Sequence, residues 1–251
     1  CSDGTSVLNA DDAFFSKLYR RVKGDAVSFA IERDADLQAL DIRCKDGETI
    51  FDLKIPSLGD TLMSVCLPML GIHNVYNALA AIAGAWGLGI EPCFSRDALR
   101  QFSPPQMRLE IRKSLEGFTV INDAYNANPS SMSVALSVLQ QAECSGRRIV
   151  VLGEMLELGS FSEEEHRAVG RACLANGIDV VIGVGDEVWP LVDVVQSNGS
   201  ICVYHVADAE KACSLAHEIV SPGDVVLVKA SRAVGLDQVA HSLCADVCTM
   251  D

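Results

Sequence analysis

Three short polar clusters carry the residue types that ligand binding and group transfer require. They are Asp123-Ala124-Tyr125-Asn126-Ala127-Asn128-Pro129-Ser130-Ser131, Gly153-Glu154-Met155-Leu156-Glu157-Leu158-Gly159 and Lys229-Ala230-Ser231-Arg232. Each follows an apolar run with the look of a strand. In an open α/β sheet, ligands collect at the carboxyl ends of the strands. One polar loop there means little, because the loops between strands and helices are usually polar. Three on one rim make a binding face.

The elements that must position these clusters alternate strictly. Strands are expected at Phe118–Asn122, Arg148–Leu152, Val180–Val184, Ile201–Val206 and Val225–Val228. Helices are expected at Pro129–Ala142, Ser162–Ala175, Glu187–Gln196, Ala209–Val220 and Leu236–Leu243. The strands are almost continuously apolar, as in a parallel sheet covered on both faces. Asn128-Pro129 puts a cap residue before a proline at the first helical position, and Ser162 with Glu165 has capping-box spacing. The second half, residues 105–251, therefore reads as α/β: a Rossmann-like, doubly wound sheet.

The first half differs. Residues Leu40 to Ile55 alternate with period two around Lys45-Asp46-Gly47-Glu48, which predicts an antiparallel hairpin. A strand near Leu62–Leu67 follows. A helix is expected from Asn74 to about Trp86, capped by Asn74 and apolar on nearly every face, so lying between other layers. Asn77 falls on the same side as Asn74. A short helix at Arg96–Gln101 leads to Ser103-Pro104-Pro105, where the prolines stop helix propagation and mark a domain boundary.

Composition narrows the function classes. The 251 residues include 34 acidic and 20 basic side chains, for a net charge of −14. Such a surface repels phosphate backbones and anionic lipids, so neither nucleic acid nor membrane binding is expected. An anionic ligand would need a local site of backbone N–H groups and a few Lys or Arg. Ten cysteines are scattered without Cys-x-x-Cys spacing, which predicts buried reduced thiols in a cytoplasmic protein. The stretch from Thr61 to Ile90 lacks charge, but Pro68, Gly71, His73, Asn74 and Asn77 interrupt it, so it reads as buried helix and not as a membrane span.

Several motifs, in this order along nearly the whole chain, resemble the Mur ligases. They are Val7-Leu8-Asn9-Ala10-Asp11-Asp12, Gly71-Ile72-His73-Asn74-Val75-Tyr76-Asn77, Met107-Arg108-Leu109-Glu110, the Asp123–Pro129 loop, the Gly153–Gly159 loop, His166 with Val169-Gly170, and Val228-Lys229-Ala230-Ser231-Arg232. Asp-x-Tyr-Asn-Ala-Asn-Pro is specific to the branch that adds D-alanyl-D-alanine.

The resemblance implies an ATP-dependent amide-bond ligase of peptidoglycan precursor synthesis. Its substrates would be UDP-N-acetylmuramoyl-tripeptide and D-Ala-D-Ala, and the bond would form through an acyl phosphate. Arg108 and Lys229 would be catalytic, with Arg108 reaching the γ-phosphate when domains close. His73, Asn74, Asn77, Arg108 and Asp123 would bind ATP, Asn77 at adenine and Asp123 at ribose. Tyr125, Asn126, Asn128, Ser131, Lys229, Ser231 and Arg232 would bind the acceptor peptide or the dipeptide. Glu154 and Glu157 would be structural, and His166 would orient its loop. The complete enzyme is expected to act as a cytoplasmic monomer.

Two departures from the family stand out. Its usual Lys-Gly-Ser-Arg reads Lys-Ala-Ser-Arg here, and Ala230 would be strained if that position needs φ > 0. No G-x-x-x-x-G-K-[ST] occurs in the chain. The resemblance then places the phosphate-cradling loop and the Mg2+ ligands before residue 1. Residues 1–104 would be the back part of a central ATP-binding domain, and 105–251 a C-terminal ligase domain, together inactive alone. The competing expectation is a non-catalytic ligand-binding or regulatory module on the same scaffold. A dinucleotide oxidoreductase has only Gly183-Val184-Gly185 behind it, without the third glycine.

Overall fold

The computed structural model describes residues 4–45, 47–59, 62–103 and 105–244. Asp46 of the expected hairpin turn, Thr61, Pro104, Cys1 and Cys248 lie outside the described residues. The chain divides into two compact units, Cys1–Pro104 and Pro105–Asp251.

The first unit holds a five-stranded sheet in sequence order: β1 (Thr5–Asn9), β2 (Asp25–Ala30), β3 (Leu37–Lys45), β4 (Glu48–Lys54) and β5 (Leu62–Leu67). β1, β2 and β3 run parallel, while β3–β4 and β4–β5 are antiparallel. The helices are α1 (Phe15–Tyr19), α2 (Ile72–Gly87) and α3 (Pro92–Arg100). Phe51, Leu53, Leu37, Leu79 and Ile82 form the centre of its core. Burying each such side chain stabilises the unit by roughly 1.5–3 kcal/mol.

Two expectations for α2 need correction. Gly71 is the N-cap, not Asn74. Asn74 lies in the first helical turn and donates from Nδ2 to the Leu70 carbonyl at 2.8 Å. Nor is α2 enclosed within this unit. Only the stripe of Asn74, Val75, Ala78, Leu79, Ile82 and Ala83 is buried, while Asn77 and Ala81 at its edge are exposed.

The loops at the β1 and β2 ends are tied by Asp11. Its carboxylate accepts from the backbone N–H of Ile31 at 2.7 Å, Glu32 at 3.1 Å and Arg33 at 3.0 Å, and from the Tyr76 hydroxyl at 2.9 Å. Burial pushes this carboxyl up, but the four donors outweigh it and hold it below the usual range. Burial and the Asp11 charge push the Tyr76 phenol up to about 12.

The second unit is a doubly wound α/β sheet. Its strands are β6 (Glu110–Lys113), β7 (Thr119–Asn122), β8 (Arg148–Gly153), β9 (Val180–Val184), β10 (Cys202–Val206) and β11 (Val225–Lys229). They order as β10-β9-β8-β11-β7-β6, all parallel except β6, which pairs antiparallel with β7. The helices are α4 (Pro129–Gln141), α5 (Ser162–Ala175), α6 (Trp189–Asn198), α7 (Ala209–Ile219) and α8 (Asp237–Cys244). One face of β8 and β11, with Val151 and Val228, packs on Ala212 of α7 and Val239 of α8. Successive side chains alternate, so Val150 and Leu227 point to the other face.

The edges depart from the expected continuous burial. β10 is the outer strand and is largely exposed, Cys202 included. Of the described cysteines, all free, only Cys173 and Cys244 are buried. Ser162 does not cap α5. A short 3-10 turn, Gly159–Phe161, runs directly into the helix, so Phe161 is the N-cap and Ser162 is already helical. No helix among the described residues is long and apolar enough to cross a membrane.

Ala230 sits in this framework without strain. It is fully buried and does not have positive φ. Its methyl occupies the space where a Cβ on Gly153 would stand, 2.7 Å away, with Val234 at 3.0 Å and Leu236 at 3.2 Å. Gly153→Ala is expected to destabilise the unit by about 1–3 kcal/mol through overpacking. Combining it with Ala230→Gly should recover part of the loss, as read by denaturant unfolding of a double-mutant cycle.

At the opposite ends of β8 and β11, Asp224 accepts from the Arg147 guanidinium at 2.7 Å and from Arg147 N and Ser221 N. Burial raises its pKa, but these partners outweigh burial and hold it below the carboxylate range. A depressed folded pKa adds stability above the unfolded value of about 3.9, and that stability is lost as pH falls through the folded pKa. Asp224→Asn is therefore expected to cost roughly 2 kcal/mol at pH 7, discounted from a fully buried pair because Arg147 is partly exposed. The difference from the parent should shrink below about pH 4 in urea titrations.

Candidate functional site

Lys229 and Asp123 organise the carboxyl rim of the second unit. β11 and β7 are parallel neighbours in which Val228 pairs with Asn122. The next residue of each strand is Lys229 and Asp123, and the ladder continues with Asp123 N donating to the Val228 carbonyl at 2.9 Å. Alternation puts both side chains on the same face, opposite to Val228 and Val120. Lys229 is 2% exposed, and a charge that deep needs a partner. Its Nζ donates to Asp123 Oδ2 at 2.5 Å and to the Asn126 carbonyl at 2.9 Å. Burial pulls the ammonium pKa below the ordinary lysine value, and the Asp123 charge opposes that shift.

The other oxygen of Asp123 reaches the Met107–Glu110 segment. Oδ1 accepts from Leu109 N at 3.1 Å. Glu110 Oε2 accepts from Met107 N at 3.1 Å, and the Met107 carbonyl accepts from Tyr125 N at 3.2 Å. Burial pushes the Glu110 carboxyl up, but Met107 N and Arg112 outweigh it and hold it low. Met107 and Leu109 have φ of +58° and +51°, a region non-glycine residues avoid. Arg108 stands between them, exposed, with its guanidinium carbon 4.3 Å from the centre of the Tyr125 ring. Among the described residues Arg108 makes no ion pair; the Tyr125 face holds it instead. Arg232 lies on the same rim, 3.1 Å from Asp237 Oδ2 and 3.2 Å from Met107 Sδ.

The other two clusters brace this rim. His166 is fully buried. Its Nε2 accepts from Met155 N at 3.0 Å while Nδ1 meets the Ser162 carbonyl at 2.7 Å, which places the proton on Nδ1. The Ser231 hydroxyl accepts from Leu156 N at 2.9 Å, and Ser231 N donates to the Glu154 carbonyl at 3.0 Å. Glu154 Oε1 in turn accepts from Glu187 N at 3.0 Å. Asn128 caps α4: its Oδ1 accepts from Ser131 N at 2.9 Å, and Ser131 Oγ accepts from Asn128 N at 3.1 Å. Asn126 Oδ1 accepts from Ala127 N at 2.9 Å.

Several expected ligand-binding groups are thus already engaged within the protein. The anion that Lys229 holds is Asp123. Ser231, Asn128 and Ser131 hold backbone N–H groups. Arg108, Tyr125 and Asn126 are exposed on the rim, and Arg232 faces solvent beside its ion pair. In the first unit, His73, Asn74 and Asn77 form their own group. Asn77 Nδ2 donates to Asn74 Oδ1 at 3.3 Å, and the His73 ring lies where a Cβ on Gly71 would stand, which only glycine permits. The roles of Leu109 and Met107 were not evident from sequence, since no residue type there signals a left-handed backbone. Among the described residues no His, Cys, Asp and Glu side chains converge as a set of metal ligands.

Comparison with known proteins identifies the family. The Mur ligase middle domain matches residues 1–85, and the domain described as "Mur ligase, glutamate ligase domain" matches residues 107–232. The UDP-N-acetylmuramoyl-tripeptide–D-alanyl-D-alanine ligase of Bacillus subtilis is 33% identical over 242 residues, covering 96% of this chain and 51% of that protein. The crystal structure of MurF from Acinetobacter baumannii superposes with a TM-score of 0.83 at 27% identity, covering 97% of this chain and 52% of that one. MurF from Thermotoga maritima, solved in complex with ADP, gives 0.78 at 25% identity, covering 98% and 54%. The chain therefore spans about half the length of the curated relatives it matches. With both domain matches falling on the two compact units, the chain belongs to the Mur ligase family.

Proposed function

We propose that this chain forms part of an ATP-dependent ligase that joins D-Ala-D-Ala to UDP-N-acetylmuramoyl-tripeptide. The observation that carries the reading is Arg108, an exposed guanidinium held on an aromatic face at the strand-end rim, with Asp123 directly beneath its loop. The named relatives support the substrate pair, and the ADP bound to the Thermotoga maritima protein supports the nucleotide.

The chemistry has two steps. The terminal carboxylate of the tripeptide attacks the γ-phosphorus of ATP, giving an acyl phosphate and ADP. The amino group of D-Ala-D-Ala then attacks the acyl carbon, loses a proton and expels inorganic phosphate. Negative charge on the migrating phosphoryl group is the main electrostatic demand, and Arg108 meets it. Asn77 has an amide that can donate to and accept from the adenine edge. Asp123 keeps lone pairs for a ribose hydroxyl beyond its two contacts within the protein. Arg232, with Asn126 and Tyr125 exposed at the same strand ends, suits the free carboxylate and backbone of a short peptide. Mg2+ would neutralise phosphate charge. The described residues offer no cage for it.

The test is a ligation assay with the chain joined to the remaining length that the relatives carry, supplied with ATP, Mg2+, tripeptide substrate and D-Ala-D-Ala. Arg108→Ala is expected to lower kcat about 100-fold or more with little change in KM for the dipeptide. An unchanged rate would leave a binding module without catalysis. Tyr125→Leu removes the platform under the guanidinium, and its expected loss through Arg108 is about 3- to 30-fold in kcat, with any loss of peptide contact read separately in KM for the dipeptide.

A further inference from the structure

We infer that Lys229 and Asp123 are positioning residues that act on Arg108 through the backbone N–H of Leu109. The inference rests on the catalytic reading of Arg108 above and adds what holds that side chain in place.

The connection is short and continuous. Lys229 takes Asp123 Oδ2, at 2.5 Å, and the Asn126 carbonyl, at 2.9 Å. With Oδ2 committed, Oδ1 is the oxygen left to face the Met107–Leu109 arch, and it accepts from Leu109 N at 3.1 Å. That arch has left-handed residues on both sides of Arg108, a backbone that persists only when its surroundings hold it. Glu110 Oε2 on Met107 N and the Met107 carbonyl on Tyr125 N fasten its first side. Asp123 fastens its second. Arg108 itself sits at the crown, 4.3 Å above Tyr125. The anchor is firm because Lys229 projects from the end of a fully buried strand. Removing the ammonium leaves a carboxylate in a poorly solvated place, and it gains by turning toward water. Leu109 N then loses its acceptor, the arch relaxes, and Arg108 leaves the ring.

Two variants separate this role from a general contribution to folding. Lys229→Met deletes the charge. Asp123→Asn keeps the size, but one amide cannot accept from both the Lys229 ammonium and Leu109 N in this arrangement. In each, amide exchange of the chain followed by NMR is expected to speed up at least tenfold at Leu109. The ring-current shifts of the Arg108 side chain should collapse toward those of a free arginine, while the amides of β8 and β9 stay protected. Retained protection at Leu109 with unchanged Arg108 shifts overturns the inference. Loss of protection in β8 and β9 in both variants also overturns it, since the pair then serves the fold as a whole.

Kinetics give a second arm in the joined ligase. Lys229→Met added to Arg108→Ala should cost less than a further twofold in kcat, although Lys229→Met alone is costly. Multiplying losses would show that Lys229 acts elsewhere. Should Arg108→Ala leave ligation intact, the catalytic reading fails, and the exchange measurement still decides whether Lys229 and Asp123 position the arginine.

Discussion

A lysine that is almost wholly withdrawn from water must have its charge met, and in this protein that demand shapes the strand-end rim. Parallel pairing of β11 with β7 brings Lys229 beside Asp123 at the strand ends. The pair fixes the carboxylate, and the carboxylate holds Leu109 N. From that point the left-handed arch, the exposed arginine and the tyrosine beneath it follow. Breaking such a pair by removing one partner typically costs more than the intact pair gains. The arrangement therefore secures geometry better than it secures stability.

The neighbouring loops are held by a different kind of contact. A neutral histidine, a serine hydroxyl and a glutamate each take a backbone N–H that would otherwise lack a partner. His166 links the Met155 turn to the start of α5. Ser231 links the same turn to the end of β11. Glu154 reaches across to the loop after β9. These bonds join three strand ends into one rim, so polar residues that look available for substrate are in large part the frame. Arg108, Tyr125, Asn126 and Arg232 remain exposed on that rim.

Much of this was legible in the sequence. The apolar strands β8, β9 and β11 and the helices between them follow from burial on both faces of a parallel sheet. The Asn128-Pro129 start of α4 follows from cap chemistry, and His166 was expected to orient its loop. The misses have local causes. β6 reads Glu-Ile-Arg-Lys, too polar for a strand signal, because it lies at the sheet edge. Ser162 had the spacing of a cap, but the 3-10 turn before it had already begun the helix. Asn74 had the chemistry of a cap, yet Gly71 supplies the positive φ at which the chain enters α2. The commitment of Lys229 to Asp123 was hidden because 106 residues separate them. Only strand order makes them neighbours.

The central claim is that the Lys229 ammonium is bound inside the protein and not offered to ligand. Its side-chain ammonium can be observed directly by ¹H–¹⁵N NMR of the lysine NH₃⁺ groups. The account predicts a slowly exchanging Lys229 signal in the ligand-free protein, lost when Asp123 is replaced by Asn. A Lys229 ammonium that exchanges with water as fast as the surface lysines, and is indifferent to Asp123, would contradict it.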